Sequence, residues 1–141
     1  VGSGKVSGCV LTVEYDGEWR DMKYHGAGKL VITYDQPNPT TGRRGEEYEG
    51  GFEHGLRHGQ GVLRFVDDSV YDGHWRNGLP EGVGHMTYGG GSLVSYVGDW
   101  DKGFFHGRGT LTTRDGVKFE GVWKRGIPGG DMKYIYPTGL T

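Results

Sequence analysis

Tyr96-Val97-Gly98-Asp99-Trp100-Asp101-Lys102-Gly103-Phe104-Phe105-His106-Gly107-Arg108-Gly109-Thr110-Leu111 is the stretch whose reading decides the fold. Its pattern has a period of two. Tyr96, Gly98 and Trp100 fall on one face of a strand and Val97, Asp99 and Asp101 on the other, as a pleated backbone requires. Past a glycine-containing turn, Gly107, Gly109 and Leu111 alternate with His106, Arg108 and Thr110, so the stretch reads as a β-hairpin. A turn at the eighth and ninth positions sets Trp100 opposite Gly107, Gly98 opposite Gly109 and Tyr96 opposite Leu111. Large side chains then face small ones, which explains glycines inside strands despite their entropic cost.

The same pattern, Y-x-G-x-W-x-x-G-x-x-H-G-x-G-x-L, begins at Tyr15, Tyr48, Tyr71, Tyr96 and Phe119, at spacings of 33, 23, 25 and 23 residues. Trp19, Trp75, Trp100 and Trp123 occupy its fifth position, and Phe52 does so in the second copy. A period of this size marks an array of stacked units. The predicted fold is all-β: an elongated, single-layer antiparallel meander of successive hairpins, a solenoid-like ribbon in which each unit touches mainly its neighbours. With two strands per copy at about 4.8 Å, five copies span roughly 45–50 Å.

Composition agrees with a ribbon. Thirty glycines and 33% apolar residues among 141 are too little for a two-layer core. Eighteen residues are Phe, Trp or Tyr, ten of them at the first and fifth repeat positions, and each buries roughly 150–250 Å². The net charge of −2 gives no field that draws the chain to nucleic acid. Residues 101–141 are nevertheless basic, with seven Lys/Arg against four Asp/Glu. Cys9 is the single cysteine, which precludes an intrachain disulfide and favours a reducing, cytoplasmic setting. No apolar run approaches the roughly 20 residues of a membrane helix, and no leader pattern opens the chain.

The copies divide the chain into residues 15–47, 48–70, 71–95, 96–118 and 119–141, with 1–14 as the end of a preceding copy. The first carries an insertion at 35–45, read as a projecting loop that is either a tolerated insertion or a partner contact through Arg43 and Arg44. The third has Glu81 for His and Met86 for Leu, and the fifth has Gly129, Met132 and Tyr134 for His, Gly and Leu. Val1–Val6 and Tyr136–Gly139 resemble partial copies, so the chain reads as a section of a longer array.

These residues resemble the MORN (membrane occupation and recognition nexus) repeat family, most closely Tyr48 to Gly61 and Tyr96 to Gly109. The resemblance implies hairpin-built ribbons that act as scaffolds, hold protein partners along an aromatic-lined groove and sometimes self-associate. It also extends to segments attached to phosphatidylinositol phosphate kinases, lysine methyltransferases and membrane-junction proteins.

No catalytic chemistry is legible. Gly2-Ser3-Gly4-Lys5 lacks the earlier glycine and the following Ser/Thr of a phosphate loop. His25, His58 and His106 share one repeat position and so lie about 10 Å or more apart, too far to share an ion with bonds near 2 Å; they read as turn-proximal histidines bonded to backbone. Asp67-Asp68 and Glu46-Glu47 are expected in turns, and Ser69, Ser92 and Ser95 lack a nucleophile elbow. The chain is expected to be no enzyme, with no cofactor and no metal.

The leading expectation is a protein-interaction scaffold in a cytoskeletal or membrane-associated assembly. Its ladder of Tyr15, Trp19, Tyr48, Phe52, Tyr71, Trp75, Tyr96, Trp100, Phe119 and Trp123 is core, groove, or both, for a partner peptide or helix. The alternatives are association with anionic lipid through Lys102, Arg108, Lys118, Lys124 and Arg125, with Arg114 and Lys133 nearby, and service as the regulatory arm of a larger enzyme. Unpaired strand edges add a route to homo-oligomers.

Overall fold

The computed structural model describes residues 10–137, and every regular element in them is a strand. They are β1 (Val10–Arg20), β2 (Lys23–Tyr34), β3 (Gly45–Glu53), β4 (Leu56–Arg64), β5 (Val70–Arg76), β6 (Leu79–Thr87), β7 (Leu93–Asp101), β8 (Phe104–Thr113), β9 (Lys118–Lys124), β10 (Ile127–Pro128) and β11 (Lys133–Ile135). They form one antiparallel sheet in chain order, with β11 also pairing on β9. The single-layer meander expected from the repeat is therefore the architecture. The partial copies at 1–6 and 138–139, Cys9 and the Gly2–Lys5 segment lie outside the described residues.

Two expectations of register are corrected. The hairpin turns fall at repeat positions seven and eight, not eight and nine. His54/Gly55, Asn77/Gly78, Lys102/Gly103 and Arg125/Gly126 all have positive φ, the non-glycine residue near +50° and the glycine near +85°. That is the two-residue type I′ turn, whose twist matches that of the flanking strands. Consequently Trp100 pairs with Phe105, not with Gly107. Beyond this pair the second strand carries two extra residues, a bulge that restores the expected Gly98–Gly109 and Tyr96–Leu111 pairs. Gly107 lies in that bulge at φ +69° and pairs forward, onto Trp123 of the next copy. Gly59–Trp75 and Gly82–Trp100 repeat the arrangement, so the tryptophan-on-glycine contact joins copies instead of closing one hairpin.

Two rows cross the sheet. Gly17, Gly28, Gly50, Gly61, Gly73, Gly84, Gly98, Gly109 and Gly121 pair in succession from β1 to β9. Beside them runs Tyr15, Leu30, Tyr48, Leu63, Tyr71, Met86, Tyr96, Leu111, Phe119 and Tyr134. Tyr15, Tyr48, Tyr71 and Tyr96 lean from the second row over the first. A Cβ placed on Gly61, Gly84 or Gly109 would sit 2.1, 1.9 or 1.9 Å from the hydroxyl of Tyr48, Tyr71 or Tyr96. The ring thus occupies the volume a side chain would need, and a sheet without a second layer gains a buried row.

Gly84→Ala is expected to lower stability by about 1–3 kcal/mol, because Tyr71 is fully buried and cannot swing aside. Gly90→Ala, with open space around it and no positive φ, should stay within about 0.5 kcal/mol of the parent. Urea unfolding of both checks the contrast; equal midpoints would refute the packing.

Candidate functional site

All the ladder residues but Phe119, whose ring meets Tyr134 instead, are brought together as one chain of edge-to-face rings. Phe52, Tyr48, Trp75, Tyr71, Trp100, Tyr96 and Trp123 follow one another with centroids 4.9–5.8 Å apart and planes 80–89° apart. Each tyrosine is gripped between the fifth-position ring of its own copy and that of the next. This geometry directs a positive ring edge at a negative ring face.

Polar ends of the rings are satisfied locally. The hydroxyls of Tyr15, Tyr48, Tyr71 and Tyr96 donate to the carbonyls of Glu18, Gly51, His74 and Asp99 at 2.7–3.0 Å. Those carbonyls lie opposite the bulge. The indole N–H groups of Trp75, Trp100 and Trp123 donate to Gly61, Gly84 and Gly109 of the preceding copy at 3.0–3.1 Å. Glycine in the row therefore supplies both the space for a tyrosine and the acceptor for a tryptophan.

As a result most of the ladder is interior. Tyr71 and Tyr96 are 0% exposed, Tyr48 1%, and Phe52, Trp75, Trp100 and Trp123 between 3% and 6%. Tyr15 and Phe119 are half-buried against this cluster. Trp19 differs: on β1 it has no preceding glycine strand to lie across among the described residues, and it is 59% exposed.

Arg57 was not singled out in the sequence. Its guanidinium lies 4.8 Å from the Trp75 ring centroid and 5.9 Å from that of Tyr48, and it donates to the Gly78 carbonyl at 3.1 Å. Burial pulls its pKa down, opposed by Glu46 and Tyr48. The available signal was its position: Tyr24, Pro80, Phe105 and Pro128 fill the same tenth place in other copies. There Phe105 stacks on Tyr96 at 4.0 Å and Tyr24 on Tyr15 at 4.0 Å.

The basic residues do not form one patch. Lys102, Lys124 and Arg125 gather at the turn edge, whereas Arg108 and Lys118 lie on the strand face opposite the rings. Arg114 is committed to the chain, donating to the carbonyls of Gly91 and Leu93. The loop at 35–45 is pinned down where the sequence suggested projection. Asn38 accepts from the amides of Thr40 and Thr41, Thr41 donates its hydroxyl to the Val66 carbonyl at 2.7 Å, and Arg43 pairs with Asp68 at 3.6 Å. Arg44 donates to the Asp35 carbonyl at 3.0 Å. Of the two arginines offered as partner contacts, Arg43 thus holds the loop against the next inter-repeat turn and Arg44 closes the loop on itself.

Two of the histidines, His58 and His106, bridge hairpins. Nδ1 of His58 accepts the Asn77 amide at 3.4 Å and Nδ1 of His106 the Arg125 amide at 3.3 Å, each in the turn of the following copy. Nε2 of His58 lies 3.2 Å from Glu53. Among the described residues no three His, Cys, Asp or Glu converge to hold a metal, and no helix is long and apolar enough to cross a membrane.

An open sheet of repeated hairpins held by one aromatic row defines a repeat-ribbon protein. The family model of the MORN repeat matches residues 15–32, 48–70, 71–93, 96–118 and 119–141, most of the chain, and the chain belongs to that family, a non-catalytic repeat module. No curated protein matches it significantly.

Burial pushes the Tyr48 and Tyr88 phenols up to about 12, with Arg57 drawing Tyr48 back somewhat; burial likewise raises Tyr71 and Tyr96. An unfolded tyrosine titrates near 10. The neutral phenols therefore stabilise the fold fully below about pH 10, and this contribution is lost as pH rises through about 12. The part of the tyrosinate absorbance due to Tyr48, Tyr71, Tyr88 and Tyr96 should rise late and together with loss of the strand signal in circular dichroism; early titration of all nine tyrosines with strands intact would contradict the burial.

Proposed function

We propose that this chain is a non-catalytic scaffold that binds a protein partner, a peptide or a helix, along the ring-bearing face of the ribbon. MORN repeats serve in protein–protein and membrane-associated roles. The observation that carries the proposal is the unbroken ring ladder, which fixes a long face of constant chemistry with a repeat every two strands.

The part of each ladder residue follows from its burial. Tyr48, Tyr71 and Tyr96 hold the face rigid, so a partner does not need to order it; pre-organised surfaces lose less entropy on binding. Contact falls to the half-buried side chains over them, chiefly Arg57, Phe105 and Met86, and to exposed Trp19. Aromatic and arginine side chains suit such anchor points. Substituting the buried tyrosines is a poor probe of this idea, since Tyr71→Ala would cost about 3–5 kcal/mol of stability before any partner is considered.

A photoreactive benzophenone residue placed separately at Arg57, at Met86 and at Val83 on the opposite face separates the surfaces. Covalent adducts with another protein are expected from positions 57 and 86 and not from 83. Adducts from 83 alone, or from none of the three, would overturn the proposal.

A further inference from the structure

The turn edge carries a second feature, independent of the ring face. In the four I′ turns of the later copies the ninth repeat position is apolar: Leu56, Leu79, Phe104 and Ile127. These side chains are 47%, 47%, 49% and 67% exposed. They overlap like shingles. A Cβ built on Gly78 would lie 3.9 Å from Leu56 Cδ2, one on Gly103 3.9 Å from Leu79 Cδ2, and one on Gly126 3.8 Å from Phe104 Cδ1. Each side chain so rests on the next turn glycine, whose amide donates to the tenth-position carbonyl of the copy before, at 2.8–2.9 Å in these three turns. One side of Leu56, Leu79 and Phe104 is used in this way, and all four apolar groups stay about half open or more, in a file that follows the turns along the ribbon.

We infer that this file is a docking edge for an amphipathic α-helix bearing an aliphatic residue at every seventh position, with acidic residues confined to the end that covers Ile127. Period and charge argue for that occupant. Successive turns lie two strands apart, about 9.6 Å, and seven helical residues rise about 10.5 Å. A helix of some 20–25 residues keeps step with all four side chains, whereas an extended strand at about 3.3 Å per residue has no two-residue face in phase with them. At the far end Ile127 pairs with Lys124 beside Arg125, neither of them in an ion pair among the described residues, whereas Phe104 pairs with Asp101 beside Lys102, where the charges leave no net sign.

The same charges disfavour the other occupants. Two copies packed antiparallel edge to edge would bring Lys23 of one against Lys124 and Arg125 of the other. An anionic membrane would meet Glu53 and Asp101 in the same file, and side chains half-covered by the neighbouring turn do not project as a membrane wedge does.

The inference rests on the protein-scaffold reading but uses a different surface, so its test can fail alone. Benzophenone at Leu79 and at Phe104 of the full chain, with adducts mapped by mass spectrometry, is expected to mark sites seven residues apart in one helical, acid-bearing segment of a partner. A synthetic peptide of that segment should bind the Leu79→Ser/Phe104→Ser variant at least about tenfold more weakly than the parent. The variant's unchanged circular dichroism would show that the ribbon is intact. Adducts only with lipid, with a second copy of this chain or with an extended segment, or none from either position, would overturn the edge assignment. Adducts from positions 57 and 86 would be unaffected.

Discussion

Everything in this ribbon depends on a tyrosine ring lying over a glycine of the neighbouring strand. A single sheet has no second layer to bury its apolar face, so the face must cover itself. The nine-glycine row clears a channel through the sheet surface, and tyrosines from the adjacent row fold down into it. Because each ring then fills the space of an absent side chain, Tyr71 and Tyr96 reach 0% exposure in a structure only one strand thick. The glycines lose backbone entropy on folding, and burial of a large ring and satisfaction of its hydroxyl offset that cost. Neither residue type is useful here without the other.

The bulge and the turn are the devices that let the two rows coexist. A two-residue turn at positions seven and eight forces pairs five–ten and six–nine. A hairpin running on without interruption would then pair position one with fourteen and set each tyrosine directly opposite a glycine. Two extra residues on the second strand shift the pairing to one–sixteen and three–fourteen, so glycine pairs with glycine and tyrosine with leucine. The tyrosine is thereby left diagonal to its glycine, the direction in which a long ring can lie flat. The bulge also exposes the fourth-position carbonyl to the tyrosine hydroxyl. Gly59, Gly82 and Gly107, at φ +78°, +83° and +69°, make the local backbone accessible. With Trp75, Trp100 and Trp123 laid back across the preceding copy, stability is shared between copies instead of residing in single hairpins, as nearest-neighbour coupling in repeat proteins requires.

Much of this was legible in the sequence, and the misses have physical causes. The period of two, the Gly98–Gly109 and Tyr96–Leu111 pairs and the family followed from Tyr, Gly and Trp spacing alone, because those residues are the packing. The turn centre is hidden in the sequence because positive φ, as at Lys102, His54 and Arg125, is uncommon for residues with a Cβ; the pattern points instead to the glycine one place later. That misplacement in turn hid the bulge, since an error of one in the turn and two extra residues in the strand cancel beyond position eleven. Arg57 escaped notice because a cation over Trp75 and Tyr48 does the work that an aromatic ring does in the fourth copy. The pinning of the loop at 35–45 depends on Asp68 and Val66, a copy away in sequence, and no local pattern announces such a partner.

The fifth copy shows the central constraint by relaxing it. There the first position is Phe119, without a hydroxyl, and the row glycine is Met132. These two departures are one. With no tyrosine to lie over the fourteenth position, the space need not be empty, and a flexible thioether packs onto the core cluster and beside Gly121, its sulfur 3.1 Å from where a Cβ there would be. The carbonyl of Val122, at the place where other copies receive the tyrosine hydroxyl, accepts the Gly129 amide at 2.9 Å. The second strand accordingly breaks into β10 and β11, with no continuous glycine row to offer a further copy. At the opposite end Trp19 has its own tyrosine but lacks a preceding glycine strand among the described residues, and its indole stands open. The two ends of the described ribbon thus differ in kind: β1 retains a ring shaped for another glycine strand, while Met132 occupies the place where the glycine row would have continued.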